Sequence, residues 1–105
     1  MIQRVEVGRD LSHGAIGDLG ATLSEQIGRG VTSLHLNTAR VLSFDSQALE
    51  SLVEFNELAR ARGLSFVIVD PSEPFAVALS ITGLESRFEI RRGEPEAAPA
   101  KTGAG

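Results

Sequence analysis

Two hydrophobic periods alternate along this chain, and their order constrains the fold more than any other feature. Apolar and polar residues alternate around Val5 and Val7 and again around Leu34 and Leu36, as they do in strands with one buried face. The uninterrupted apolar run over 66–69 is typical of a strand that is buried on both faces. These three segments are therefore predicted to be strands.

Helical spacing fills the segments between the strands. In two of them apolar residues recur every three or four positions, before glycines that can end a helix. The first set is Ile16, Leu19, Leu23 and Ile27, and the second is Ala48, Leu52, Phe55 and Ala59. A third helix is predicted from Pro74 to about Thr82, with Ser72 as its cap and Gly83 after its end.

A short fourth strand is predicted around Phe88 and Ile90, and the arginines on either side of it suit the edge of a sheet. Strands that alternate with helices predict an α/β fold with a mostly parallel, four-stranded sheet and three helices. From residue 93 onward the sequence consists largely of Gly, Pro, Ala and charged residues, which cannot bury enough surface to fold. We therefore expect one domain over residues 1–92 and a disordered tail over 93–105.

Composition narrows the function. The 105 residues include no cysteine, which excludes thiol catalysis, cysteine-bound zinc and disulfides. A net charge of −4 provides no positive field to attract nucleic acid. The sequence has no apolar run long enough to span a membrane and no signal-peptide pattern, so we expect a cytoplasmic protein without direct membrane insertion.

The residues that most often catalyse a reaction or bind a cofactor form no recognisable site. Gly14, Gly17 and Gly20 lack the lysine and Ser/Thr of a phosphate loop, and we interpret them as points where the first helix approaches its neighbour. His13 and His35 have no carboxylate or second histidine at metal-binding spacing, so we interpret both as structural. We expect no catalytic residue, no metal, no cofactor and no enzymatic activity.

Asp45 and Ser46 are the most informative residues of the chain. They lie in a loop beyond the carboxyl end of a predicted parallel strand, where open α/β sheets usually place function. Either residue can cap the second helix, and capping needs only one of them. The alternative is that Ser46 accepts a phosphate next to the free amides of the helix start, beside the repelling Asp45 carboxylate. The residues by themselves leave both interpretations open.

This segment and its surroundings resemble a known family. The sequence LHLNTARVLSFDSQALESLVEFNELARARGLSFVIVDPSEPFAVALSITGLESRFEI, residues 34–90, is similar to the second half of a STAS domain, the fold of bacterial anti-sigma factor antagonists and of the cytoplasmic part of sulphate transporters. With the looser similarity of the first half, the resemblance covers roughly residues 4–91. The pattern has no additional first strand and no last helix of the kind seen in many relatives, so we expect a minimal version of the fold.

The resemblance implies a phosphorylation switch. Ser46 falls on the position that a partner serine kinase of the GHKL type phosphorylates, while Asp45 and Asp10 fall on acidic positions that shape the site. Without phosphate, such a domain binds an anti-sigma factor, which then releases its sigma factor to act in transcription. The family's usual Asp-Ser-Ser-Gly-Leu-Gly reads Asp-Ser-Gln-Ala-Leu-Glu at 45–50, so both glycines that let a partner backbone come close are replaced.

The altered 47–50 segment supports an alternative function, that of a constitutive STAS scaffold or a small cytoplasmic STAS subunit of a membrane transport complex. A second alternative is a small-molecule-binding module that uses the crevice between the Asp45 loop and the loop over 70–72. In a minimal fold, an uncovered sheet edge or helix groove would favour self-association or a larger STAS complex.

The second helix indicates where a partner would bind. Three glutamates lie in one narrow stripe opposite the apolar face, and two apolar residues lie on a shoulder beside them. We expect an acidic and apolar surface next to Ser46 that recognises a basic groove. Its predicted members are Gln47, Leu49, Glu50, Val53, Glu54 and Glu57.

Overall fold

The strands and helices follow the predicted order in a computed structural model of the protein, which describes residues 2–12 and 14–93. The strands are β1 (Ile2–Glu6), β2 (Ser33–Asn37), β3 (Ser65–Val69) and β4 (Glu89–Arg91), and the helices are α1 (Gly14–Gly28), α2 (Ser46–Ala61) and α3 (Glu73–Ile81). A 3₁₀ turn over Leu84–Arg87 lies between α3 and β4. The predicted α/β fold, with four parallel strands and three helices, is confirmed.

The sheet has the strand order β1-β2-β3-β4, and each neighbouring pair is parallel. Because successive right-handed crossovers step in the same direction, the three helices lie on one face of the sheet. Leu34 and Leu36 of β2 lie opposite Phe66 and Ile68 of β3 and form the core together with apolar residues of α1, α2 and α3. β3 is buried on both faces, as its uninterrupted apolar run predicted.

α1 packs closely against α2 at one glycine. A methyl group at Gly20 would lie 2.8 Å from the Cζ atom of Phe55, so the predicted close approach is confirmed there. The same prediction is wrong for Gly14 and Gly17, where an added methyl group would have no neighbour among the described residues within 4 Å. Both of these glycines are exposed, and Gly20 alone of the three lies at the helix contact.

The predicted cap and end signals of α3 are confirmed, and the helix begins at Glu73, one residue before the predicted start. The Ser72 hydroxyl accepts a hydrogen bond from the Phe75 amide at 3.3 Å, and Pro74 lies in the first turn. Gly83 follows the helix with a left-handed φ of 75°, a conformation that glycine adopts without steric cost. β4 lies at the edge of the sheet, as its flanking arginines indicated.

The ends of the chain are described only in part. His13 and the predicted tail from residue 94 onward lie outside the described residues. Gly93, the first residue of the predicted tail, donates its amide to Oδ1 of Asp70. Within the described ranges, β1 is the first strand and β4 is the last element. None of the helices in these ranges has the length and apolar character needed to cross a membrane.

Candidate functional site

Asp45 and Ser46 have separate roles at the start of α2. Asp45 is the N-cap: its backbone is extended, with φ −125° and ψ 176°, and its Oδ1 atom accepts a hydrogen bond from the Ala48 amide at 2.8 Å. Ser46 is the first residue of the helix and is exposed. Within the described part of the chain, the Ser46 hydroxyl forms no hydrogen bond. Asp45 therefore caps the helix, and the Ser46 hydroxyl is available for another role.

Asp10 joins the loop after β1 to the loop that precedes Ser46. Its Oδ1 atom accepts hydrogen bonds from the Ser12 hydroxyl at 2.7 Å, the Ser12 amide at 3.0 Å and the Ser43 hydroxyl at 3.2 Å. The two loops are also paired through their backbones, since the Leu11 amide donates to the Ser43 carbonyl at 2.8 Å. The hydrogen bonds from Ser12, and then that from Ser43, lower the pKa of Asp10 below its ordinary value.

The loop over residues 38–45 is held on its other side by the start of α3. The Ser72 hydroxyl donates a hydrogen bond to the Val41 carbonyl. The ring of Phe44 packs on that of Phe75, with the ring centroids 5.4 Å apart. These contacts join the two loops between which the sequence predicted a ligand crevice. The 38–45 loop is thus fixed between the loop after β1 and the start of α3.

His35, which the sequence analysis interprets as structural, is buried on β2, where it is 4% exposed. It pairs with Val67 of β3, and its side chain lies on the face of the sheet opposite to that of the core residues Leu34 and Leu36. In residues 2–12 and 14–93, no group of three or more His, Asp or Glu side chains is arranged to hold a metal ion.

A family model of the STAS domain matches residues 3–97 of the 105-residue chain. The chain belongs to the STAS family. STAS domains are generally regulatory modules without enzymatic activity, and the family includes anti-sigma factor antagonists. A search of curated proteins found no match.

The surface of this STAS domain around Ser46 differs in part from the predicted one. Gln47, Glu50, Glu54 and Glu57 are exposed, and Val53 is half-buried. Leu49 was predicted to belong to this surface, and that prediction is wrong. Its side chain is only 6% exposed and packs in the core, so it cannot anchor a partner. The reason is that the flank of α2 that carries Leu49 faces inward. On the same flank, the Asn56 side chain donates to the Arg87 carbonyl of the 3₁₀ turn at 2.9 Å.

Leu42 is an exposed apolar residue near Ser46 that the sequence analysis missed. It is 62% exposed, whereas the adjacent Val41 is fully buried. Consecutive residues of an extended segment point to opposite sides, so the adjacent apolar pair at 41 and 42 was the signal that one of them would face solvent. The Leu42 amide donates to the Arg9 carbonyl at 2.8 Å, which fixes this part of the 38–45 loop.

The glutamate stripe of the STAS domain is an exposed acidic surface. Glu57 forms an ion pair with Arg87 at 3.1 Å, and both side chains are more than half exposed, so the pair contributes little to stability. Within the described residues, Glu50 and Glu54 form no ion pair. The negative charge nearest to Ser46 along α2 is therefore not neutralised.

Proposed function

We propose that this STAS domain is a protein-binding regulator that is switched by phosphorylation of Ser46, and that it is not itself an enzyme. The observation that supports this most strongly is the separation of roles at the start of α2. Asp45 caps the helix, so the exposed Ser46 hydroxyl contributes nothing to the cap and is accessible to a kinase. A phosphate on Ser46 would lie near free backbone amides, which tolerate negative charge at a helix start.

Phosphorylation would change binding through charge while leaving the fold intact. It would add nearly two negative charges beside Asp45 and ahead of Glu50 and Glu54. A partner that approaches an acidic and apolar surface would then meet a much stronger negative field and an altered contact at Ser46 itself. The partner that this proposal implies, by analogy with the family, is an anti-sigma factor or serine kinase of the GHKL type.

The two residues that replace the glycines of the family pattern differ in whether a partner could contact them. Ala48 is fully buried, so its methyl group points away from any partner and does not obstruct docking. Glu50 is exposed, and it is the replacement that a partner would meet. We propose that the contact surface consists of Leu42 as the apolar anchor, with Gln47, Glu50 and Glu54 beside Ser46.

The experiment begins with capture of the native protein from the cells that produce it, followed by intact and peptide mass spectrometry. A kinase-type partner and a phosphate on Ser46 would support the switch. The recovered partner is then titrated against wild type, Ser46→Ala and Ser46→Asp. We expect Ser46→Ala to bind and Ser46→Asp to lose at least about tenfold in affinity, equivalent to about 1.4 kcal/mol.

Ser24→Asp is the matched control, because Ser24 is an exposed helical serine on α1. It introduces the same charge away from the start of α2 and should bind like wild type. Equal binding by Ser46→Asp and wild type would reject the switch. Glu50→Gln removes one negative charge of the proposed contact surface and keeps a good helix former, so it should weaken partner binding; affinity equal to that of wild type would remove Glu50 from that surface.

A constitutive scaffold, or a small STAS subunit of a membrane transport complex, is the second candidate. The observation that favours it is Glu50, an exposed charged residue where the family pattern has a glycine. Recovery of unmodified Ser46 in a stable complex, with assembly unchanged by Ser46→Asp, would favour this function. The small-molecule alternative has less support, because direct contacts such as Phe44 on Phe75 join the loops on either side of the predicted crevice.

A further inference from the structure

Among the described strands, β1 pairs with β2 alone and therefore forms one edge of the sheet. The Val7 amide, just beyond β1, donates to the Asn37 carbonyl of β2 at 3.0 Å, which fixes the direction of the alternating backbone groups. Amides and carbonyls of a strand point alternately to its two sides. Odd-numbered residues of β1 therefore bond to β2, whereas the backbone groups of Arg4 and Glu6 point outward from the sheet. The outward Arg4 carbonyl accepts a hydrogen bond from the Gln3 side chain at 3.1 Å, an exposed bond that a pairing strand would replace.

The outer side of β1 is accessible. A cleft of about 280 Å³ lies between β1 and α1, and Val5 and Glu6 are among the residues that line it. The sequence of β1, IQRVE, contains no proline, and its two charged residues, Arg4 and Glu6, have opposite signs, so an antiparallel copy of the same strand can pair with both. An accessible edge with outward backbone groups is a template for strand addition.

We propose that β1 pairs with β1 of a second copy of this chain, antiparallel across a two-fold axis at Val5. The two four-stranded sheets would then form one continuous sheet. With the axis at Val5, the outward amide and carbonyl of Arg4 form hydrogen bonds with those of Glu6 in the second copy. By symmetry, Glu6 of the first copy forms the same bonds with Arg4 of the second. This inference does not depend on the proposed function of Ser46.

The charges of β1 select this register. Directly opposite residues of an antiparallel pair point to the same face, so Arg4 lies beside Glu6 of the second copy in two symmetric pairs. An axis at Arg4 would place two arginines together, and an axis at Glu6 would place two glutamates together. At Val5, the half-buried side chain meets its own copy on the helix-bearing face, where both gain apolar contact.

Sedimentation velocity of the full-length protein over a wide concentration range tests the dimer. One pair of five-residue strands is a small interface, so we expect a weak dimer whose fraction rises with concentration. Arg4→Glu and Glu6→Arg should each weaken dimerisation at least about tenfold, because each substitution converts two attractive cross-strand pairs into repulsive ones. The double variant Arg4→Glu/Glu6→Arg restores opposite charges and should dimerise like wild type.

A mixture of the two single variants provides a second test, since Arg4→Glu in one chain and Glu6→Arg in the other are complementary and should form a heterodimer. Glu89→Arg is the matched control, because it reverses a charge on the other edge strand, β4, and should not change the dimer. Circular dichroism melting shows that each variant is folded. A wild type that stays monomeric at all concentrations, or single reversals that dimerise like wild type, would overturn the proposal.

Discussion

Replacing Asp45 by alanine tests the separation of roles on which the proposed switch depends. The substitution removes the carboxylate that accepts from the Ala48 amide at 2.8 Å and leaves an amide of the first helical turn without its partner. Loss of an aspartate N-cap costs about 1 kcal/mol of stability, within a range of about 0.5–2 kcal/mol. For a domain of this size, the melting temperature should fall by roughly 4–8 °C.

Ser46→Ala is the matched control, because the hydroxyl that it removes caps nothing. Its free energy of unfolding should stay within about 0.5 kcal/mol of wild type, as for most surface substitutions. Asp45→Asn should recover most of the lost stability, since asparagine accepts the same hydrogen bond from Ala48. Thermal and urea denaturation, followed by circular dichroism, measure all three variants. If Ser46→Ala destabilised the protein as much as Asp45→Ala, the Ser46 hydroxyl would have a structural role and the reasoning would fail.

Two further predictions concern helix packing and charge. Gly17→Ala should stabilise the protein by up to about 1 kcal/mol, because alanine favours the helix and the site is open. Gly20→Ala should gain less or lose stability, because its methyl group would meet the ring of Phe55; equal gains in urea denaturation would contradict the close contact. Asp10 has a lowered pKa in the folded protein, so its stabilising contribution is present above the ordinary value of 3.8 and is lost as the pH falls through the folded pKa. The free energy of unfolding of Asp10→Asn should therefore decrease less than that of wild type below pH 3.8, and identical pH profiles in urea titrations would argue against this role.

The order of the elements could be predicted from the sequence because local periodicity determines it. The alternation at Leu34 and Leu36 and the apolar run over 66–69 identified two strands and their buried faces. Parallel strands and right-handed crossovers then left few arrangements. The end of β1 was harder to place: Val7 was expected within the strand, but β1 ends at Glu6 although the Val7 amide still bonds to β2.

The contacts of the site could not be predicted in the same way, because they join residues that are far apart in the chain. No local pattern shows that Asp10 meets Ser43. Likewise, no helical period shows that the flank of α2 carrying Leu49 packs in the core, and so Leu49 was expected at the surface although it is buried. Capping chemistry could identify Asp45 and Ser46 as a pair, but only the structure shows which of the two is the cap.

The 38–45 loop is held on both sides before any partner arrives, by Asp10 through Ser43 and by the packing of Phe44 on Phe75. Fixing the backbone of one residue costs about 1–2 kcal/mol in conformational entropy, which a flexible loop loses when it binds. This loop has already lost that entropy during folding, so more of the contact energy remains for affinity. Association at Ser46 should then be limited by the encounter of two preformed surfaces and not by rearrangement of the loop.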